Sequence, residues 1–147
     1  MVNGEKMADE KKKKKGKGIT TKAKKKTAIA RAVIRKGTGL VHINKRNIET
    51  IKPKYLYEFV REPLELAEEL AGEVDISVSV KGGGFMGQAV SARSAIAKAL
   101  VKFHQNEKLK QKFLKYDRML LVDDPRRVEP KKQLGTKARK KKQKSKR

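Results

Sequence analysis

The sequence predicts one small α+β domain carried between two basic arms, and three observations predict it. A period-two apolar pattern stops and a helical one begins at Gly82-Gly83-Gly84-Phe85-Met86-Gly87-Gln88-Ala89, the one dense glycine cluster. Charge is partitioned: residues 1–26 carry 11 basic and 3 acidic side chains, residues 27–124 carry 17 and 12, and residues 125–147 carry 12 and 1. The nearly balanced centre is long enough for one core and too short for two. Arms of such density cannot collapse alone, because like charges repel and few apolar groups are there to bury; a polyanion would order them.

Residues 1–26 are low in complexity, with Lys11 to Lys15 unbroken, and read as a flexible basic extension. In the domain, 27–124, Ala28, Ala30, Ala32 and Ile34 alternate with Ile29, Arg31, Val33 and Arg35, a strand pattern. Gly37-Thr38-Gly39 and the run Leu40 to Asn44 then suggest a hairpin. Arg31 and Arg35 share one face, either solvated or RNA-facing. After the turn composition of Asn44 to Asn47, a short helix fits Lys54 to Arg61, and Pro63 suits the first turn of another, Leu64 to Ala71, ended by Gly72. Val74, Ile76, Val78 and Val80 alternate with Asp75, Ser77, Ser79 and Lys81, a half-buried strand. Ala89, Ala92, Ile96, Ala99, Leu100 and Phe103 form one helical stripe, with Ser91, Ser94, Lys98, Lys102 and Gln105 opposite. A helix over Glu107 to Tyr116 turns Leu109, Phe113 and Tyr116 inward, and Met119 to Val122 read as a short buried strand. Residues 125–147 form an extended basic tail.

Few constellations carry chemistry. Gly82, Gly84 and Gly87 satisfy G-x-G-x-x-G, but Glu107 starts a helix instead of ending a strand, and Gln88-Ala89 replace the Lys and Ser or Thr of a phosphate loop. A tight turn is the better reading, with helix-start N–H groups as phosphate donors. No cofactor is expected. Without Cys, and with only His42 on a strand's wet face and His104 exposed after a helix, no metal site is expected. Asp123 and Asp124 read as a turn whose acids bind backbone or pair with Arg126 and Arg127. No nucleophile, base and orienter can be assembled, so an enzyme is not expected. No apolar run approaches a membrane span and Met1 to Gly18 lack a secretory apolar middle, so a soluble intracellular protein without a membrane partner is expected.

Read together, Lys26-Thr27-Ala28-Ile29-Ala30-Arg31-Ala32, the glycine stretch, Arg93 with Ala95 to Leu100, Asp124-Pro125-Arg126-Arg127-Val128-Glu129-Pro130-Lys131-Lys132 and Gln143-Lys144-Ser145-Lys146-Arg147 resemble the family of the ninth protein of the small ribosomal subunit. The Glu-Pro-Lys-Lys and terminal forms are similar to its archaeal and eukaryotic branch, over about residues 25–147. The resemblance implies a two-layer α/β sandwich, a mixed sheet of about four strands with helices packed on it, seated in the head of the subunit. It implies ribosomal RNA contacts from Lys26, Arg31, Lys81, Gly82, Gly83, Gly84, Gln88 and Arg93, and along the tail from Arg126, Arg127, Lys131, Lys132, Lys137, Arg139, Lys140, Lys141, Lys142 and Lys144. Ser145, Lys146 and Arg147 would reach the peptidyl-site tRNA, Arg147 gripping phosphate through its planar fork. Neighbouring ribosomal proteins would complete the partners, in the cytoplasm. Lys142 and Lys146 stand where that branch has aromatics, so charge replaces base stacking there. Two other classes fit parts of the sequence: a chromatin or DNA-packaging protein, by its balanced core and basic arms, and a nucleotide-dependent enzyme, by Gly82 to Gly87.

Overall fold

A computed structural model describes residues 18–133 and 135–140. Five strands form one mixed sheet: β1 (Ile19–Lys25), β2 (Ala28–Lys36), β3 (Val41–Ile43), β4 (Arg46–Asn47) and β5 (Val74–Lys81). Their order is β1-β2-β5-β3-β4, antiparallel throughout except for the parallel pair of β3 and β5. The helices are α1 (Lys54–Ala67), α2 (Glu69–Gly72), α3 (Phe85–His104) and α4 (Glu107–Tyr116), with 3-10 turns at Ile48–Thr50 and Arg118–Leu120.

The strand periodicity sorts the sheet into two unlike faces. Ala28, Ala30, Ala32 and Ile34 of β2 and Val74, Ile76, Val78 and Val80 of β5 are buried, whereas Arg31, Arg35, Ser77, Ser79 and Lys81 are exposed. The buried face carries mostly alanines on β1 and β2, which lets α3, itself alanine-rich, lie close over these strands. The Thr21 hydroxyl donates to Ala95 O of α3 at 3.0 Å, so the polar atom trapped between layers is satisfied.

Several expectations are corrected. The globular domain begins before residue 27, because Ile19–Lys25 pairs along its length with β2. The hairpin partner of β2 is therefore β1; β5 inserts between β2 and β3. Lys26, at φ +55°, turns the chain from β1 into β2, and the Asn44-Lys45 turn, at φ +48° and +68°, joins β3 to the very short β4.

Pro63 does not start a helix but lies inside α1. A proline in a helix interior costs about 3 kcal/mol, yet Leu56, Val60, Pro63 and Ala67 fall on one buried stripe, so burial of that stripe opposes the break. The helix stops at Glu68, φ +51°. Ser91 and Ser94, expected on a wet face, are buried, because α1 and the Arg118–Leu120 turn cover the back of α3; their hydroxyls donate to Gln88 O and Met119 O, each at 2.9 Å. Met119 to Val122 form no strand: Asp117 Oδ1 accepts from Met119 N–H at 2.8 Å and winds a 3-10 turn that buries Leu120. Helix α4 forms as expected, capped by Asn106, with Leu109 and Phe113 inside, but Tyr116 is exposed. His104 is half-buried, its Nε2 3.1 Å from Leu70 O.

Candidate nucleic-acid interface

The sheet face away from the helices presents cations in adjacent rows. The strand register places Lys24 beside Ile29 and Lys81, Lys22 beside Arg31 and Ser79, and Arg35 beside Asp75. His42 lies between Ser77 and Asn47 on this face, as its alternation predicted. Asp75 is the carboxylate of these rows, and it is already committed: Thr38 and Leu40 N–H donate to Oδ1 at 2.9 and 3.0 Å. Those bonds hold its carboxyl below the usual aspartate range. Its charge stabilises the β2–β3 loop, at the other end of β5 from Lys81, and a groove of about 490 Å³ beside Arg31, Lys81 and Gly82 has no carboxylate in its lining.

The glycine turn is shaped by its neighbours within the protein. Gly82 and Gly83 take φ +75° and +68°, and a Cβ would stand 2.6 Å from Thr27 O at Gly82 and 2.9 Å from the Ala28 Cβ at Gly83. Only glycine fits both the backbone angles and the close approach. Gln88, expected to touch RNA, donates from Nε2 to Gly82 O at 3.2 Å and braces the turn. Gly84 precedes α3 with no side-chain cap. The turn thereby meets the β1–β2 turn across a cleft of about 310 Å³ lined by Lys25, Lys26, Gly83, Gly84 and Gly87. Lys26 and the uncapped start of a 20-residue helix combine there into a positive surface.

The tail leaves from the same end. Asp124, its side chain almost wholly enclosed, pairs with Lys25 and accepts from Arg126 N–H at 2.9 Å, from Arg126 Nε at 3.0–3.1 Å and from Arg126 Nη2 at 2.9 Å. The Arg126 bonds first, and Lys25 next, hold its carboxyl far below the usual range. Arg127 pairs not with a carboxylate but with the carbonyls of Asp124 and Arg126. Asp123 accepts from Lys98 Nζ at 2.6 Å and from Lys24 N–H at 3.3 Å, which lays the segment against the free edge of β1. Further on, Arg139 grips Glu129 with two bonds of 2.6 and 2.9 Å, while Lys131, Lys132, Lys137 and Lys140 are exposed.

Arg93 departs from expectation. It is 6% exposed, 2.8 Å from Asp117 Oδ2 and 2.5 Å from Glu62 Oε2, and its guanidinium lies 4.5 Å from the centre of the Phe59 ring. It ties α1, α3 and the end of α4 together and offers nothing to a phosphate outside. Conversely, Lys22 and Lys24 belong to the cationic sheet face and not to a flexible amino-terminal extension, because they lie on β1. The alternation of Thr21 and Ala23 with Lys22 and Lys24 was the available signal. Lys141, Lys142, Lys144, Ser145, Lys146 and Arg147 lie outside the described residues.

Among the described residues no group of three or more His, Cys, Asp or Glu could hold a metal, and no helix is long and apolar enough to cross a membrane. The family model described as Ribosomal protein S9/S16 matches residues 23–147. Among curated proteins, the Small ribosomal subunit protein uS9 of Methanococcus maripaludis and that of Methanococcus vannielii are each 46% identical over 112 residues, covering 76% of this chain and 84% of the relative. The glycine turn, the cationic sheet face and the basic tail thus sit in a sequence matched almost from β1 to its last residue, and the chain belongs to the ribosomal protein S9/S16 family.

Proposed function

We propose that this protein is a structural constituent of the small ribosomal subunit that binds ribosomal RNA in the head, with its tail reaching the peptidyl-site tRNA. Membership of a ribosomal family carries the reading, and the arrangement of charge supports it. Lys22, Lys24, Arg31, Arg35 and Lys81 form one phosphate-binding face, and Lys26, Gly83 and Gly84 a second at the helix start, where Lys25 is held by Asp124. Arg126, Arg127, Lys131, Lys132, Lys137, Arg139, Lys140, Lys141, Lys142 and Lys144 extend the contact along the tail, while Gln88 serves by holding the turn. Such contacts position the protein and set its salt dependence, the sequence-independent part of RNA binding. Asp124 fixes where the tail starts, and Ser145, Lys146 and Arg147 then meet tRNA phosphates. Neighbouring head proteins are the remaining partners.

Sedimentation of a native lysate in low and high salt tests the first half. Co-migration with small subunits that survives moderate salt is the expected result; migration with DNA would restore the packaging alternative. Deleting Ser145 to Arg147 tests the second half. Subunits should assemble normally and bind peptidyl-site tRNA less tightly, and unchanged tRNA affinity would defeat the tail assignment.

A further inference from the structure

We propose that Phe85 and the apolar groove beside it hold an unpaired nucleobase of ribosomal RNA, an inference that rests on the RNA-binding role proposed above. Phe85 opens α3 directly after the glycine turn and is 64% exposed, and Met86 next to it is 42% exposed. Beside the ring lies a groove of about 220 Å³ walled by Ile43, Ile51, Leu56, Val80 and Ala92. Its polar lining is sparse. The Asn44 amide is consumed by the Val80 backbone, donating to its carbonyl at 3.3 Å and accepting from its N–H at 2.8 Å. Gln88 Nε2 gives one N–H to Gly82 O, which leaves its second N–H as a donor and Oε1 as an acceptor. Lys52 is the charged residue of the lining, and no carboxylate takes part.

This combination selects its occupant. A large ring left in water beside an apolar slot gains by being covered, and the cation at the rim favours a ligand that brings negative charge with its flat apolar surface. An unpaired base on its phosphate backbone has both properties, and single-stranded RNA is recognised by stacking of bases on aromatic rings beside basic side chains. A second copy of the chain would bring a formal charge of +24 against another +24. The groove and the cleft at Lys26 flank the start of α3 on different sides, Phe85 and Gln88 lining the first and Met86 and Gly87 the second.

The test measures binding of the full-length protein to an rRNA fragment of the small-subunit head, with chemical probing of base edges in the complex. Phe85→Ala should leave thermal stability unchanged, weaken binding roughly fivefold to a hundredfold and unmask one base that the native protein protects. Phe85→Trp should restore both. Arg31→Gln, remote from the groove, reports on RNA binding as such. If Arg31→Gln weakens binding while Phe85→Ala matches the native protein in affinity and footprint, the base pocket falls and the RNA reading stands. If the native protein binds neither this RNA nor subunits, both fall. Loss of a neighbouring protein from reconstituted Phe85→Ala subunits, with the base footprint unchanged, would overturn the proposal in favour of a protein contact.

Discussion

The two faces of the sheet differ by one residue of register and by almost everything else. On β2, Ala28, Ala30, Ala32 and Ile34 disappear under α3, and Ile29, Arg31, Val33 and Arg35 between them face outward. The covered face is stabilised by close packing, so small side chains are required there. The open face contributes little to the core and keeps its cations available. Arg31 and Arg93 show the same contrast within one residue type. Arg31 is exposed beside Ser79, whereas Arg93 is enclosed by Glu62, Asp117 and Phe59. A cation on the outside is free to meet a polyanion, and one on the inside is a strut between helices.

Substitutions on the covered side should damage the fold, and substitutions on the open side should damage binding alone. The largest effect is expected at Gly83→Val, which adds a side chain at φ +68° and 2.9 Å from Ala28. Left-handed strain and overpacking together should cost about 2–5 kcal/mol, read as a lowered Tm and poor incorporation into subunits. Gly84→Ala, where an added Cβ meets nothing within 4 Å, should be nearly silent in the same melt. Equal damage from both would mean that the turn is fixed by something other than its approach to Ala28.

Next is Arg93→Ala, which leaves Glu62 and Asp117 beside each other without their cation. Both acids keep some access to water, so the loss should be about 2–3 kcal/mol, at or below the lower limit of about 3 kcal/mol for a broken buried pair. Denaturant unfolding measures it. A stable Arg93→Ala variant that binds RNA poorly would reverse the assignment of inner and outer arginines.

A smaller and conditional effect attaches to Asp124. Its carboxyl is depressed when folded, so its stabilisation is complete above the ordinary aspartate value of 3.8 and is lost as pH falls toward its own lower value. The Tm difference between the native protein and Asp124→Asn should accordingly be constant at neutral pH and shrink in acid. A difference that grows in acid would contradict the pairing with Arg126 and Lys25.

The smallest effect on stability is expected at Arg31→Gln. Its Tm should equal that of the native protein, while RNA affinity falls and the slope of log affinity against log salt drops by about 1. A changed Tm with an unchanged salt slope would remove Arg31 from the interface.

The sequence alone determined what local chemistry dictates. Alternation placed β2 and β5, the outward arginines of β2 and Lys81; the spacing of Leu109 and Phe113 placed α4; the glycine cluster marked the turn between β5 and α3. These signals are local, because a strand's faces and a helix's stripe depend on residues within one or two turns of chain. Only the tertiary structure decided the rest. Ile19–Lys25 became a strand because β2 offered it a free edge, although its own lysines look like the arm before it. Pro63 stayed within α1 because its ring lies on the buried stripe, and Ser91 and Ser94 went inside because α1 and the 3-10 turn close over α3. Arg93 was decided by partners 31 residues before it and 24 after, which no periodicity within α3 records. A charge reads as surface in one dimension, and becomes core only when the folded chain brings its counterions to it.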